Sequence, residues 1–189
     1  MIKTRKDLKF YVEQDFKVQD MDHPTLARFT FGENYAMFAY MKTLRYLEYY
    51  VNKKKKIWDF PFYAYYMLRH RKNCLKYQIS ILPNTTGYGL NLVHPGFRRL
   101  GGYLKIGNNC TFLPMVLIGK KSPQVDTSNF VIGDNCYFGT GAIVVGPVVI
   151  GNNATIAAGS VVTKDIPENA IVAGNPAKII RFKEVVGVI

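Results

Sequence analysis

Residues 132–162 read IGDNCYFGTGAIVVGPVVIGNNATIAAGSVV and place a bulky apolar residue at every sixth position. The same step begins at Ile106, is interrupted after Ile118 and resumes at Ile132. An α-helix repeats at about 3.6 residues and a strand at about two, so neither explains this period. Short strands joined by tight corners do explain it, because each flat side of such a coil takes one repeat. The sequence therefore predicts a mainly β fold whose stacked coils bury one column of apolar side chains.

The interruption between Ile118 and Ile132 covers 14 residues, which is one repeat of six and eight more. We interpret the extra residues as a loop that leaves the coil at about residues 120–130. Without them, Cys110 and Cys136 lie 18 residues apart, one turn of a three-sided coil. We expect the two thiols to stack inward about 4.8 Å apart, as small buried side chains. No metal site is predicted, since the cysteines lack the spacing of metal ligands.

The chain before the coil has a different composition. Residues 1–77 hold 18 of the 26 aromatic residues but only one of the 16 glycines. This composition favours helices, and the aromatic residues are expected to pack in a core or a subunit interface. We predict three helices: from about Arg5 to Val18, from Asp22-His23-Pro24 to about Asn52 with Gly32 as a point of division, and from about Pro61 to Leu75. The predicted organisation is a helical segment at 1–77, a coil at 78–183 and a tail at 184–189.

The formal net charge is +12, with 25 Lys and Arg against 13 Asp and Glu. A basic surface attracts anions in general, whether nucleic acid, anionic lipid or a polyphosphate ligand. No nucleic-acid recognition motif accompanies the charge, so a nucleic-acid partner is not predicted. The basic helical segment predicts a weak peripheral attraction to an anionic membrane. The three cysteines, the charged start MIKTRKDLKF and the lack of any run of about 18 apolar residues lead us to expect a cytoplasmic protein.

Three blocks of the coil resemble the hexapeptide-repeat acetyltransferases: IGNNCTF at 106–112, IGDNCYFGTGAIVVG at 132–146 and IGNNATIAAGSVVTKDIPENAIVAGNPAKIIR at 150–181. That family includes serine acetyltransferase, galactoside acetyltransferase and sugar O-acetyltransferases of polysaccharide pathways. The resemblance implies a left-handed β-helix, a homotrimer, and acetyl-CoA bound in the groove between neighbouring coils. EYYVNKKKK at 48–56 and ISILPNTTGYGLNLVHPG at 79–96 also resemble serine acetyltransferase-like proteins found among polysaccharide genes.

His94, in GLNLVHPGF, is the candidate catalytic residue. It matches the position of a catalytic histidine in serine acetyltransferase, and an imidazole can take a hydroxyl proton near neutral pH. Val93 and Ser80 stand where that enzyme has carboxylates, and KKSPQVDTSNF lacks its second histidine. We therefore expect a backbone carbonyl, a water or a group from another subunit to orient His94. The other two histidines, His23 and His70, are interpreted as solvated or capping residues.

The resemblance to galactoside acetyltransferase assigns the cofactor-binding positions. It implies that the main chain of Thr140 contacts the thioester end of acetyl-CoA and that Ala158 and Thr163 line the pantetheine arm. The cationic residues it places near the phosphates are Lys164, Lys178 and Arg181. Lys and Arg at the end of the coil suit the several negative charges of a coenzyme A tail.

The sequence thus favours an acetyl-CoA-dependent O-acetyltransferase that acts on a sugar hydroxyl, of a capsular or lipopolysaccharide precursor. Serine acetyltransferase is the first alternative, disfavoured by the missing carboxylates and second histidine. Acetylation of a drug or another small alcohol is a further one. From a different class, the coil could serve as a non-catalytic trimeric scaffold, which would not bind acetyl-CoA. Fold does not decide the acceptor.

Overall fold

The computed structural model describes residues 1–19, 29, 32–54 and 56–184. The helices are α1 (Arg5–Lys17), α2 (Glu33–Asn52) and α3 (Phe60–Tyr77), with a 3-10 turn at Ile57–Asp59 before α3. The first predicted helix is confirmed to within one residue, and Gly32 indeed precedes a helix start. The predicted start at Asp22-His23-Pro24 lies outside the described residues. The third helix begins one residue earlier and ends two residues later than predicted.

Thr4 begins α1 with a reciprocal pair of hydrogen bonds. Its Oγ1 accepts from the Asp7 amide at 3.1 Å, and the Asp7 carboxylate accepts from the Thr4 amide at 2.9 Å. These bonds satisfy amide groups that have no partner inside the helix, and they hold the pKa of the Asp7 carboxyl below its usual value. The helix therefore starts where its sequence places a capping residue.

The rest of the chain forms short parallel strands that wind into a three-sided coil. The strands are β1 (Ile79–Ile81), β2 (Asn91–Leu92), β3 (Arg98–Leu100), β4 (Lys105–Ile106), β5 (Thr111–Phe112), β6 (Val116–Lys120), β7 (Val131–Ile132), β8 (Tyr137–Phe138), β9 (Ile143–Gly146), β10 (Val149–Ile150), β11 (Thr155–Ile156), β12 (Val161–Val162), β13 (Ala170–Gly174) and β14 (Ala177–Phe182). They belong to three sheets, ordered β1-β3-β6-β9-β12, β10-β7-β4 and β14-β13-β11-β8-β5-β2. Every neighbouring pair is parallel except β13 with β14, which is antiparallel.

The column with a period of six is the core of the coil. Each of its members is at most 5% exposed: Ile106, Phe112, Ile118, Ile132, Phe138, Val144, Ile150, Ile156 and Val162. Phe112 and Phe138 stack nearly parallel with their ring centroids 4.5 Å apart. Burial of the whole column explains why the repeat is so regular, because a displaced residue would meet solvent or leave a cavity.

Strand β6 ends at Lys120 and β7 begins at Val131, so residues 121–130 connect the two strands in the region of the predicted loop. Thr111 pairs with Tyr137 in register, so the residues before them, Cys110 and Cys136, are neighbours in adjacent coils. Both cysteines are free and buried, and each Sγ donates to a backbone carbonyl 3.2 Å away. The extra residues therefore leave the coil without changing the alignment of the strands on either side.

The helical segment shares its core with the coil. Met37, Tyr40, Met41 and Leu44 of α2 belong to the same buried cluster as the column. Between α2 and α3 the aromatic residues form stacked pairs, among them Tyr46 with Tyr66 at 4.9 Å and Tyr50 with Phe62 at 5.8 Å. These pairs confirm that much of the aromatic content serves packing.

Arg45 of α2 connects the helices to the first coil. Its guanidinium is fully buried and binds the carboxylates of Asp15 at 2.7 Å and Glu48 at 3.0 Å. It also donates to the backbone carbonyl of Thr86 at 3.2 Å and to that of Gly87. Burial alone lowers the pKa of Arg45, but the two carboxylates outweigh it and raise the pKa above its usual value.

His70 is not solvated, contrary to the interpretation from sequence. It is 5% exposed, and its Nε2 lies 2.9 Å from the carbonyl oxygen of Ile81. Its neighbours in the basic run RHRK are exposed, which is why the run gave the wrong expectation. His23 lies outside the described residues. Within the described part of the chain, no helix is both long and apolar enough to cross a membrane.

Candidate functional site

One corner of the coil carries the candidate site. Leu92, Phe112, Phe138 and Ile156 stand opposite one another in β2, β5, β8 and β11. The residues two positions further on occupy successive levels of the corner that follows these strands: His94, Pro114, Thr140 and Ala158. Adjacent levels are separated by the strand spacing of about 4.8 Å. The structure therefore brings the candidate catalytic histidine and two predicted cofactor residues onto one edge.

The corner of His94 is longer than those that follow. Leu92 and Leu100 are eight residues apart, whereas their partners Phe112 and Ile118 are six apart. The two extra residues push the corner out of the regular coil, and His94 takes a left-handed φ of 58°. This departure from the period of six was visible in the sequence and marks the level at which the candidate base lies.

Glu33, the first residue of α2, orients His94. Its Oε2 lies 2.8 Å from His94 Nδ1, and both side chains are more than 60% exposed. When Nδ1 donates this hydrogen bond, Nε2 is left as the basic nitrogen of the ring. The expectation of a carbonyl, a water or another subunit is thus wrong, because a carboxylate of the same chain takes that role.

Arg98 holds the main chain around His94. Its buried guanidinium donates to the carbonyl of Phe112 at 3.0 Å, to that of Gly96 at 3.2 Å and to that of Val93. Burial lowers the pKa of Arg98 to about 10, so the side chain is still a cation near neutral pH and its donors are all protonated. Hydrogen bonds on both sides of His94 fix the corner to the coil below.

Below His94 the edge is smooth. Thr140 and Ala158 are exposed. Gly141 and Gly159 have φ of +71° and +67°, and a Cβ on either would lie 3.9 Å or more from the nearest atom outside its chain neighbours. The coils approach closely just beside them, since a Cβ on Gly139 would lie 2.6 Å from the Ala158 nitrogen. The exposed side chains of Thr140 and Ala158 are small, which leaves room along the edge for a slender chain such as a pantetheine arm.

The predicted basic residues lie at the far end of the coil. Lys178 pairs with Ala173 of β13, and the neighbouring amide of Ala157 donates to the Val172 carbonyl at 2.9 Å. Strand β13 lies one level beyond β11, and β14 lies one level beyond β13, so Lys178 stands two levels beyond Ala158 on the same edge. Arg181 pairs with Ile171, further along β14. The side chains of four predicted cofactor-binding residues are exposed here: Thr163, Lys164, Lys178 and Arg181.

We call the line of His94, Thr140, Ala158 and Lys178 the site edge. Thr163 and Lys164 do not lie on it, because they follow β12 and begin the next corner. The roles assigned to all seven residues stay predictions. The order along the edge, from the candidate base to a cation, is the order that an acyl thioester with a phosphate tail would need.

A groove that the sequence did not indicate lies on the outer side of β1, β3 and β6. Its volume is about 640 Å³, and Arg99, Tyr103, Leu117 and Lys120 are among the residues that line it. Lys120 Nζ lies 5.2 Å from the centre of the Tyr103 ring, and Lys121 to Pro123 of the loop also line the groove. Its residues come from three separate strands and the loop, so no local motif could reveal it.

Comparison with known proteins supports this architecture. The family described as bacterial transferase hexapeptide (six repeats) matches residues 131–164. Serine acetyltransferase 2 of Arabidopsis thaliana is 37% identical over 98 residues, covering 52% of this chain and 30% of that protein. Galactoside O-acetyltransferase of Escherichia coli K12 is 35% identical over 86 residues, covering 40% and 42%. The chain thus spans less than half the length of either relative.

Among solved structures, the serine acetyltransferase of Brucella abortus S19 in complex with coenzyme A is similar, with a TM-score of 0.73 and 24% identity. The match covers 95% of this chain and 70% of that one. The predicted fold, a left-handed parallel β-helix with an N-terminal helical segment, is confirmed. Residues 131–164 carry the hexapeptide repeat of the bacterial transferases, and the chain as a whole has the fold of a serine acetyltransferase.

Proposed function

We propose that this protein transfers an acetyl group from acetyl-CoA to a hydroxyl group of a small acceptor. The observation that carries the proposal is the 2.8 Å contact between His94 and Glu33, located at one end of the site edge. Acetyl-CoA supplies the activated acyl group and a thiol leaving group. The smooth edge at Thr140 and Ala158 suits its pantetheine arm, and Lys178 suits its phosphates.

In this proposal His94 is the general base. Its Nε2 accepts the proton of the acceptor hydroxyl while Nδ1–H stays hydrogen-bonded to Glu33. The acceptor oxygen then bonds to the acetyl carbon, the carbon–sulfur bond breaks, and Nε2 returns the proton to the sulfur. Glu33 keeps the ring in one tautomer and stabilises its cationic form. Arg98 limits the movement of the corner that carries the ring.

The similarity to serine acetyltransferases favours serine as the acceptor over the sugar expected from the sequence. Glu33 removes one reason for doubting serine, because His94 has a carboxylate partner after all. A sugar hydroxyl is the second candidate. It is supported by the similarity to galactoside O-acetyltransferase and by Val93, an apolar residue beside the base where serine acetyltransferase has an aspartate.

Release of free thiol from acetyl-CoA tests the proposal, with serine and a panel of sugars as acceptors. We expect His94→Ala to lower kcat by about 10²–10⁴-fold without weakening coenzyme A binding. Glu33→Gln should lower kcat about tenfold and leave the KM for acetyl-CoA unchanged, with partial recovery in Glu33→Asp. Glu13→Gln, an exposed carboxylate on α1, is the matched control.

The outcomes separate the classes of function. Thiol release with serine, or with one sugar, names the acceptor. Failure to bind coenzyme A in calorimetry would exclude the enzyme and favour a scaffold. The homotrimer implied by the family resemblance is also part of the proposal, and sedimentation equilibrium measures it directly.

A further inference from the structure

The outer face of α3 carries large apolar side chains although it faces solvent. We define it by Tyr65, Leu68, Lys72 and Leu75, whose spacing of three and four residues aligns them on one side of the helix. Leu68 is 60% exposed and Leu75 is 83% exposed. Trp58, just before α3, is 81% exposed. Large apolar side chains that stay exposed along one face of a helix mark a surface that contacts something else.

Packing within the chain does not account for this face. The opposite side of α3 already makes the helix's internal contacts. Tyr66 stacks on Tyr46 of α2, His70 binds the Ile81 carbonyl of β1, and Cys74 packs against the core cluster. The helix is therefore held in place without the residues of its outer face.

The outer face and the residues that flank it on α3 are also strongly basic. Arg69, Arg71, Lys72 and Lys76 are exposed along α3, and the sequence has no Asp or Glu between Asp59 and Asp126. Asp59 itself is engaged by Lys53, whose Nζ lies 2.7 Å from its carboxylate. The patch thus combines aliphatic and aromatic side chains with uncompensated positive charge.

We propose that the outer face of α3, together with Trp58, docks on an anionic phospholipid surface. Leucine and tryptophan side chains gain by entering the headgroup and upper acyl region, while Lys and Arg pair with the phosphates. A second copy of this face is a poor partner, since it would bring like charges together. Nucleic acid would neutralise the charge but leave Leu68 and Leu75 in water.

The single tryptophan of the chain reports on this surface directly. We expect the emission of Trp58 to shift to shorter wavelength when the protein meets vesicles of phosphatidylcholine with about 30 mol % phosphatidylglycerol. Vesicles of phosphatidylcholine alone should produce little change, and added salt should reverse the shift. Co-sedimentation with the same vesicles gives the partition coefficient.

Two pairs of substitutions separate the apolar and the charged contributions. Leu68→Ser with Leu75→Ser should weaken partition at least tenfold, and Arg69→Gln with Lys72→Gln by about tenfold or more. Lys6→Gln with Lys105→Gln removes the same charge from exposed positions elsewhere and should leave partition nearly unchanged. Circular dichroism confirms that each variant keeps its fold.

Three results would overturn the proposal. Equal binding to neutral and anionic vesicles would show that the positive charge of this surface plays no part in binding. A shift of Trp58 that depends on protein concentration alone would assign the face to a second copy. A shift caused by an oligonucleotide but not by anionic vesicles would assign it to nucleic acid. The proposal does not depend on acetyl transfer, so vesicle binding and thiol release can succeed or fail separately.

Discussion

The coils from Leu104 to Val172 and the part of the chain before them bury different kinds of side chain. In the described part of the chain, every buried polar or charged side chain except Ser160 lies at or before Arg98. The later coils bury only apolar residues, cysteines and that one serine. Repeated apolar packing therefore stabilises the later coils, whereas specific buried polar contacts help to stabilise the first coil and the helices before it. The candidate base lies in the part built by polar contacts.

The substitution Arg45→Met tests this difference and should have the largest effect on stability. The change leaves Asp15 and Glu48 buried without their cation, which costs roughly 3–5 kcal/mol of unfolding free energy. We expect the helical segment to lose its order first, because Arg45 also holds the Thr86 and Gly87 carbonyls of the first coil. Denaturant unfolding followed by circular dichroism measures the loss.

A matched variant separates charge from packing. Arg45→Met combined with Asp15→Leu and Glu48→Leu removes the three buried charges together and should recover part of the stability. The recovery should be incomplete, because the Asn84 and Leu90 amides lose their carboxylate acceptors and the Thr86 and Gly87 carbonyls lose their donor. A loss below about 1 kcal/mol in Arg45→Met alone would mean that the network contributes no more than a surface ion pair.

Within the regular coils, steric fit should dominate. Gly139→Ala puts a Cβ 2.6 Å from the Ala158 nitrogen and 2.9 Å from its Cα. Because these are backbone atoms, the coils must separate, at a cost of about 1–3 kcal/mol. Gly119→Ala is the control, since nothing lies within 4 Å of its added Cβ. Equal melting temperatures for the two variants would contradict the close approach.

The smallest expected effect is on the pH dependence of stability. Burial lowers the pKa of His70 below its ordinary value, and the hydrogen bond to Ile81 opposes this only in part. The unfolded state therefore binds a proton more readily than the folded state. Stability from this residue is fully present above the unfolded pKa of about 6.5, and it is lost as pH falls from there toward the folded pKa.

We expect the melting temperature of the wild type to fall between about pH 7 and pH 5. It should fall less in His70→Gln, whose amide keeps a donor for the Ile81 carbonyl. Parallel pH curves for the two proteins would show that His70 is not the group responsible.

The sequence predicted the regular coils well because one rule, a buried residue at every sixth position, governs them. The role of His94 was predicted from the resemblance to serine acetyltransferase. The same resemblance gave the wrong expectation for the group that hydrogen-bonds to the His94 ring. Glu33 lies 61 residues before His94, and nothing local to either residue indicates that they meet. The burial of Arg45 and Arg98 was equally hidden, since an arginine in a sequence is expected at the surface.

The alignment of the coils does not depend on the number of residues in each turn. The steps from Leu92 to Phe112, from Phe112 to Phe138 and from Phe138 to Ile156 cover 20, 26 and 18 residues, yet all four side chains stay in register. A corner can therefore gain or lose residues without displacing the levels above and below it. The His94 corner and the 120–130 loop can therefore change length, and such a change could alter which acceptor binds. The edge proposed for acetyl-CoA would stay in place.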